Sequence, residues 1–178
     1  MKERKLEDYI TSIKDWPKEG IVFRDINTLL NDKVGYNLMI DKMYDQYKSV
    51  KESIDYVAGC EARGFIVGAA LAHKLGAGFV PIRKKGKLPR EIYSQSYDLE
   101  YGSATLEVQK DAIIPYSNVL LLDDLLATGG TMIASIDLME KLNGNILGCG
   151  FIASLDFLGG EKKINDRGYK VKSLIRYK

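Results

Sequence analysis

A chain of 178 residues that is 46% hydrophobic is long enough for one α/β domain with its own core, and a second full domain is not expected. A formal net charge of +2 argues against a nucleic-acid or membrane surface, and no apolar run approaches the ~18 residues that a spanning helix needs. From the length we expect a single domain, residues 1–178. Because the charged N-terminus has no apolar signal core, we expect the protein in the cytoplasm.

The N-terminal part changes character near Pro17. Apolar residues recur at near-helical spacing from 4 to 14, which predicts a short helix. Residues 17–30 then mix turn formers with a short apolar segment at Ile21–Phe23. This segment fits either an edge strand with a core phenylalanine or a hood that covers a ligand. We treat 1–32 as an N-terminal helix and hood.

Strands and helices alternate through the rest of the chain, which predicts a mostly parallel, twisted sheet flanked by helices. The predicted elements are a helix capped by Asn31 or Asp32 and reaching about Lys48, a strand at Asp55–Gly59, a helix from about Phe65 to Leu75, a strand at Gly78–Ile82, a strand at Val119–Leu122, a helix from about Thr131 to Leu142, a strand at Ile146–Ala153, a polar, irregular segment at Leu155–Asp166, and an edge strand at Tyr169–Ile175.

Five of the eight residues from Arg83 to Arg90 are cationic, and glycine and proline interrupt them. Such a segment fits a solvated loop, or a mobile lid that screens the charge of a polyanionic substrate. Partial alternation from Tyr97 to Val108 then predicts a hairpin around Gly102-Ser103. We therefore expect a flexible loop and hairpin over 83–108.

The most informative stretch is N-V-L-L-L-D-D-L-L-A-T-G-G-T, residues 118–131. Its apolar run fits a buried parallel strand, and Asp123 and Asp124 follow at the edge where open α/β sheets bind ligands. Consecutive strand residues face opposite ways, so both carboxylates can reach one ligand only if the strand has already ended. Two acceptors at this position suit the hydroxyls of a ribose or assistance to a metal.

The glycine-rich end of this stretch has the chemistry of a phosphate site. Gly129 and Gly130 allow a close backbone approach, and the following helix presents unpaired amides and the positive end of its dipole. Thr128 and Thr131 add hydroxyl donors. A tight strand–helix turn would explain the glycines alone, but it would leave the acids and threonines unexplained.

Three isolated side chains have simpler interpretations. Cys60 and Cys149 lack metal-site spacing and are expected to be reduced core thiols. His73 lies in an amphipathic stretch without an evident partner, so we expect a structural or solvent-facing residue.

The stretch 118–131 resembles the phosphoribosyl diphosphate (PRPP) motif of the type I phosphoribosyltransferases. Four further segments, in the same order, narrow the resemblance to the adenine phosphoribosyltransferase family: G-I-V-F-R-D-I at 20–26, A-R-G-F at 62–65, I-R-K-K-G-K-L-P at 82–89 and S-Y-D-L-E-Y-G at 96–102. The resemblance implies the type I phosphoribosyltransferase fold, the conversion of adenine and PRPP to AMP and diphosphate in purine salvage, Mg²⁺ held mainly by PRPP and not by protein ligands, and a homodimer.

The resemblance also implies roles for particular residues. Glu100 would be the catalytic acid with Tyr101 beside it, and Arg63, the second catalytic residue, would contact diphosphate beside a strained Glu61–Ala62 peptide. For adenine, the implied contacts are the backbone of Val22 and Arg24 at the base edge, Phe23 on the ring, and Leu155 at the closed pocket. For diphosphate they are Arg83, Lys84 and Lys87. For the rest of PRPP they are Asp123 and Asp124 at the ribose hydroxyls, and Ala127, Thr128, Gly129, Gly130 and Thr131 around the 5-phosphate.

The chain departs from the family pattern near the predicted pocket. Ser154 stands where relatives usually have a glutamate, the segment after Leu155 lacks a usual arginine, and Arg90 replaces a common glycine. Two alternatives keep the fold: a transferase for hypoxanthine, guanine or xanthine, and a PRPP-sensing regulator without turnover. A Walker-type ATPase is excluded because the chain lacks G-x-x-x-x-G-K-[ST].

Overall fold

The computed structural model describes residues 4–98 and 102–178. Its strands are β1 (Thr11–Lys14), β2 (Val22–Asp25), β3 (Tyr56–Cys60), β4 (Gly78–Lys84), β5 (Ile92–Asp98), β6 (Ser103–Gln109), β7 (Asn118–Leu126), β8 (Asn145–Leu155) and β9 (Val171–Tyr177). Its α-helices are α1 (Asn27–Leu30), α2 (Lys33–Tyr47), α3 (Arg63–Leu75), α4 (Gly130–Lys141) and α5 (Gly160–Asp166), with 3₁₀ turns at Leu6–Tyr9, Lys48–Ser53 and Asp156–Leu158.

The main sheet has the strand order β5-β6-β4-β3-β7-β8-β9. The five strands from β4 to β9 in that order run parallel, while β6 is antiparallel to both β4 and β5. Strands β1 and β2 form a separate antiparallel pair. The predicted mostly parallel sheet with flanking helices is confirmed. Among the described residues, no helix is both long and apolar enough to cross a membrane.

The core forms two layers because alternate residues of the buried strands face opposite sides of the sheet. On β7, Leu120 and Leu122 pack with α2 and α3, whereas Val119 and Leu121 pack with α4. All four are fully buried. An unbroken apolar run is therefore what a strand covered by helices on both faces requires.

Several local predictions hold. The Asp32 carboxylate accepts hydrogen bonds from the amides of Val34 and Gly35 and so caps α2. Both cysteines are buried and free, and His73 is exposed on α3.

The predicted helix over 4–14 is wrong beyond its first turn. Only Leu6–Tyr9 is helical, as a 3₁₀ turn, and the chain then extends into β1, which pairs with β2. The Thr28 hydroxyl fixes this path because it donates to the Tyr9 carbonyl at 2.7 Å and accepts from the Thr11 amide at 2.9 Å. A tertiary contact therefore overrides a weak helical pattern.

The segment around Phe23 is not an edge strand of the main sheet. Strand β2 pairs only with β1 among the described strands, and Phe23 is half-buried, with its ring centroid 4.3 Å from that of Trp16. We call residues 11–25 the hood, since this small sheet stands apart from the main one.

Two further boundaries differ from the prediction. The segment 155–166 is not irregular, because Asp156–Leu158 is a 3₁₀ turn and α5 follows, anchored by the fully buried Ile164. The hairpin is longer than predicted, with β5 beginning at Ile92.

Candidate active site

A crevice opens at the carboxyl edge of the sheet between β3 and β7. From β3 the chain continues to β4 on one side, and β7 later returns to the other side of β3. Such a reversal of strand order is where open α/β sheets bind ligands. The ends of β3 and β7 bring the two most distinctive motifs of the sequence together.

The first component is the glycine loop, Ala127–Thr131, between β7 and α4. Gly129 has φ +84°, a left-handed conformation that favours glycine, and α4 begins at Gly130. The loop lines a cavity of about 70 Å³, more than the ~30 Å³ share of one water molecule. Free amides at the start of α4 make this cavity suitable for an anion.

The second component is the acidic pair, Asp123 and Asp124. The strand does not end before them as predicted, since β7 continues to Leu126, but its pairing with β3 stops at Leu122. The carboxylates therefore stand beyond the end of the neighbouring strand. A Cβ built on Gly64 would lie 2.8 Å from Asp123 Oδ1, so this carboxylate touches the first turn of α3.

Asp124 faces the same helix start. It is 4% exposed, and its Oδ2 lies 2.7 Å from Arg63 Nε. That oxygen nevertheless accepts no hydrogen bond with good geometry from any described residue. Burial and the neighbouring charge of Asp124 raise the pKa of Asp123 well above its usual range. The accepting capacity that remains at this end of the crevice is that of Asp124 Oδ2.

Glu61 anchors the cationic loop, Arg83–Arg90. Its carboxylate, 6% exposed, accepts hydrogen bonds from Arg83 Nε at 3.2 Å, the Lys84 amide at 2.9 Å and Lys87 Nζ at 2.7 Å. Burial opposes ionisation, but these bonds, led by that of Lys87, outweigh it and lower the pKa of Glu61 to about 2. The Glu61–Ala62 peptide, expected to be strained, is cis.

A second buried carboxylate holds the turn of the same loop. Glu107, on β6, is 3% exposed and accepts a hydrogen bond from the Gly86 amide at 2.8 Å. The cationic loop is thus tied to the main sheet at two points, beside the ends of β3 and β4.

The hood contacts the main sheet at the carboxyl end of β9. The Arg24 guanidinium lies 4.1 Å from the ring centroid of Tyr177, and Tyr177 pairs with Leu155 across β9 and β8. Val22 is 43% exposed and so is available to a ligand. Of the predicted base-contacting residues of the hood, Arg24 therefore lies at the same sheet edge as Leu155.

Of the two predicted catalytic residues, Arg63 begins α3, whereas Glu100 lies outside the described residues, as does the predicted substrate contact Tyr101. The hairpin strands that flank them end at Asp98 and Ser103, which face each other. Asp98 closely approaches the glycine loop, because a Cβ built on Gly130 would be 3.4 Å from the Asp98 carbonyl oxygen. Nearby, the Thr131 hydroxyl donates to Tyr97 Oη at 3.2 Å.

Comparison with known proteins agrees with this geometry. The family model described as phosphoribosyl transferase domain matches residues 25–176. An adenine phosphoribosyltransferase of Chlorobium phaeovibrioides is 51% identical over 172 residues, which cover 97% of both chains. The chain belongs to the adenine phosphoribosyltransferase family.

Solved structures of the family have the same fold. The enzyme of Thermoanaerobacter pseudethanolicus is 45% identical with a TM-score of 0.90, covering 97% of this chain and 98% of its own. The Giardia lamblia enzyme, solved as a complex with 9-deazaadenine, is 36% identical with a TM-score of 0.90 and 99% coverage of both chains.

Sequence reasoning missed three residues of this adenine phosphoribosyltransferase site. The partners of Glu61 and Glu107 could not be read from neighbouring residues, because they lie 21 to 26 positions away along the chain. Arg176 lies one residue beyond the predicted edge strand at Tyr169–Ile175, and no sequence pattern distinguishes it, although β9 extends to Tyr177. Glu61 could have been suspected from its position one residue after a buried strand at the ligand edge.

Proposed function

We propose that this protein transfers the 5-phosphoribosyl group of PRPP to adenine, forming AMP and diphosphate, as a step of purine salvage. The observation that carries the proposal is the glycine loop beside the acidic pair at the β3–β7 crevice, in a chain 51% identical to an adenine phosphoribosyltransferase. We expect the protein to work in the cytoplasm as one domain over 1–178, with the hood and the 83–108 region as its parts.

The phosphoribosyl half of PRPP is proposed to occupy the crevice. Asp123 and Asp124 accept hydrogen bonds from the ribose hydroxyls, and the unsatisfied, buried Asp124 Oδ2 supports this role. Amides and hydroxyls of the glycine loop bind the 5-phosphate, which involves Ala127, Thr128, Gly129, Gly130 and Thr131.

The diphosphate half is proposed to meet Arg63, Arg83, Lys84 and Lys87. The first two and Lys87 are ion-paired with Asp124 or Glu61 in the free protein, so binding must exchange these partners for phosphate oxygens. Their exposed fractions, 33% to 49%, leave the cationic groups accessible for that exchange. Guanidinium and ammonium groups suit diphosphate because they form charge-assisted hydrogen bonds.

Mg²⁺ is proposed to arrive with PRPP. The acidic pair fits this ion because Mg²⁺ prefers carboxylate oxygen and water, and Asp124 Oδ2 has accepting capacity to spare. When bound, the ion would offset the charge of the departing diphosphate. Asp123 and Asp124 are the residues that would face it.

Adenine is proposed to bind under the hood. The backbone of Val22 and Arg24 reads the base edge, Phe23 stacks on the ring, and Leu155 closes the pocket. Trp16 packs against Phe23, with the ring centroids 4.3 Å apart. The Giardia lamblia relative, solved with 9-deazaadenine, supports adenine as the base.

The reaction breaks the bond between ribose C1 and diphosphate and forms a bond from C1 to adenine N9. Positive charge develops on the ribose as diphosphate leaves, so cations must stabilise the leaving group. A carboxylate must either face the positive charge on the ribose or take up the proton of the base. We assign the carboxylate to Glu100, with Tyr101 beside it, and one leaving-group cation to Arg63.

The test is diphosphate release with PRPP, Mg²⁺ and each purine base in turn. Release with adenine, and at least about 100-fold less with hypoxanthine, guanine or xanthine, is the expected result. Preference for a 6-oxopurine would make the protein a transferase for another base. PRPP binding without release would make it a sensor.

We also propose that the protein is a homodimer. Sedimentation equilibrium should give about twice the chain mass of 19.9 kDa. A mass of one chain at micromolar concentration would contradict this proposal.

A further inference from the structure

The last strand of the sheet carries an arginine that holds two carboxylates. Arg176 makes a two-pronged contact with Glu161, through Nη1 to Oε2 at 2.6 Å and Nη2 to Oε1 at 2.9 Å. Its Nη1 also lies 3.3 Å from both carboxylate oxygens of Asp156. A two-pronged contact of this kind fixes the orientation of the guanidinium relative to the carboxylate as well as the distance between them, unlike most surface ion pairs.

The network continues into the core through Ser154. This residue is 1% exposed, lies opposite Arg176 in the β8–β9 ladder, and donates its hydroxyl to Asp156 Oδ1 at 2.6 Å. The hydrogen bond from Ser154 and the charge of Arg176 lower the pKa of Asp156. Residues on both sides of Leu155 are therefore fixed by one arginine.

Glu161 stands in the first turn of α5, and that turn touches the glycine loop. A Cβ built on Gly160 would lie 2.3 Å from the Ala127 carbonyl oxygen and 3.0 Å from the Gly129 amide nitrogen. The contact is backbone against backbone, so a displacement of the start of α5 must displace the loop or open a gap beside it.

We propose that Arg176 is a positioning residue for PRPP: it holds the start of α5 against the glycine loop and keeps the loop in its binding conformation. It touches no substrate and acts through Glu161 and Asp156. The inference rests on the proposed function, since the loop is the 5-phosphate site. It gives the final strand of the chain a part in substrate binding.

The chain offers a matched control in Arg167. This residue also binds two carboxylates, Asp137 at 2.9 Å and Glu140 at 2.8 Å, and is 36% exposed against 40% for Arg176. It follows the other end of α5, and Asp137 lies about 10 Å along α4 from Gly130. Loss of Arg167 should therefore loosen α5 without moving the glycine loop.

The experiment compares Arg176→Met with Arg167→Met, since methionine keeps an apolar stem and removes the charge. Arg176→Met should raise the KM for PRPP and its Kd by calorimetry about tenfold, with the KM for adenine changed less than about threefold. Arg167→Met should lower the melting temperature about as much as Arg176→Met does, but it should leave PRPP affinity within about twofold of wild type.

Two more variants separate positioning from folding. Arg176→Lys keeps the charge without the two-pronged contact and should fall between wild type and Arg176→Met. The double variant Arg176→Met/Glu161→Gln should bind PRPP no more weakly than Arg176→Met alone, because the two side chains act as one contact.

The proposal is overturned if Arg176→Met leaves PRPP affinity unchanged, or if both methionine variants weaken it equally. Calorimetry separates this result from a failure of the proposed function. Wild-type protein that binds PRPP without turnover would refute the transferase and still test Arg176. Wild-type protein that binds no PRPP would refute both.

Discussion

At the scale of single residues, the site is a set of cations already paired with carboxylates. Arg63 pairs with Asp124, and Arg83 and Lys87 pair with Glu61. An unpaired cluster of this charge would repel itself and destabilise the free protein. The proposed binding of PRPP would therefore be an exchange of anions, in which phosphate oxygens replace protein carboxylates.

Asp124→Asn should weaken PRPP binding about tenfold, because the amide replaces an acceptor oxygen by a donor and gives up the charge facing Arg63. Isothermal calorimetry measures the change. Asp166→Asn, at an exposed surface pair with Lys162, is the control and should bind PRPP as wild type does. Unchanged affinity in Asp124→Asn would contradict the ribose assignment.

Glu100→Gln should lower kcat at least about tenfold while PRPP affinity stays within about threefold, since an uncharged side chain cannot serve the developing positive charge or the base proton. Steady-state kinetics and calorimetry give the two quantities. A kcat near that of wild type would remove Glu100 from the catalytic role.

Glu61 gives the pH dependence of stability a definite sign. Its pKa in the folded protein is about 2, below the ordinary value of 4.5. Its contribution to the free energy of unfolding is therefore fully present above about pH 4.5 and is lost as the pH falls towards 2. The free energy of unfolding that Glu61→Gln removes at pH 7 should therefore shrink towards pH 3.

Urea titrations of wild type and variant at a series of pH values measure that difference. Glu91→Gln, whose side chain is 83% exposed, serves as the control and should show no comparable loss. A difference that stayed constant down to pH 3 would mean that the bonds to the cationic loop do not stabilise the ionised form.

The sequence revealed the residues whose neighbours in the chain complete a pattern. Asp123, Asp124 and the glycine loop stand within nine consecutive positions, so their proximity needs no knowledge of the fold. Glu61 and Arg176 could not be found in this way. Their partners come from other strands and from a helix that sequence reasoning did not predict.

At the scale of elements, α5 shows why local pattern is insufficient. Its seven residues contain one core side chain, Ile164, and the helix is stabilised by contacts at both ends. The first turn of α5 nevertheless shapes the glycine loop. A short helix with a weak signal can therefore be as important for the site as the strong motif beside it.

Gly160→Ala tests this contact directly. The new Cβ would lie 2.3 Å from the Ala127 carbonyl oxygen, so the loop must move, and the KM for PRPP should rise about tenfold. The neighbouring Gly159→Ala is the control, because nothing lies within 4 Å of its Cβ.

Gly159 has φ +71°, so alanine there strains the backbone and should lower the melting temperature without a comparable change in KM. Equal KM values in the two variants would show that the glycine loop does not depend on the start of α5.

The hood is the opposite case, in which a visible pattern misled. The helical spacing of residues 4–14, which lead into the hood, is real. However, Ile13 is 40% exposed and belongs to a strand that pairs with β2. Four-residue strands outside the main sheet have little core of their own, so the sequence carries few alternating positions from which to predict them.

At the scale of the whole molecule, the order of strands creates the site. Because β3, β4, β7 and β8 run parallel, their carboxyl ends lie at one edge of the sheet, and the reversal of strand order at β3 opens the crevice there. The unbroken apolar run of β7 predicts a strand covered on both faces without knowledge of its neighbours. Strand order could not be predicted in this way, because no local pattern records which strands are neighbours.

The most direct test of the whole account is product formation from adenine and PRPP with Mg²⁺. We expect AMP and diphosphate in equal amounts, with far less product from any 6-oxopurine. Absence of AMP from protein that is folded and binds PRPP would contradict the assignment and leave a PRPP-binding protein without transferase activity.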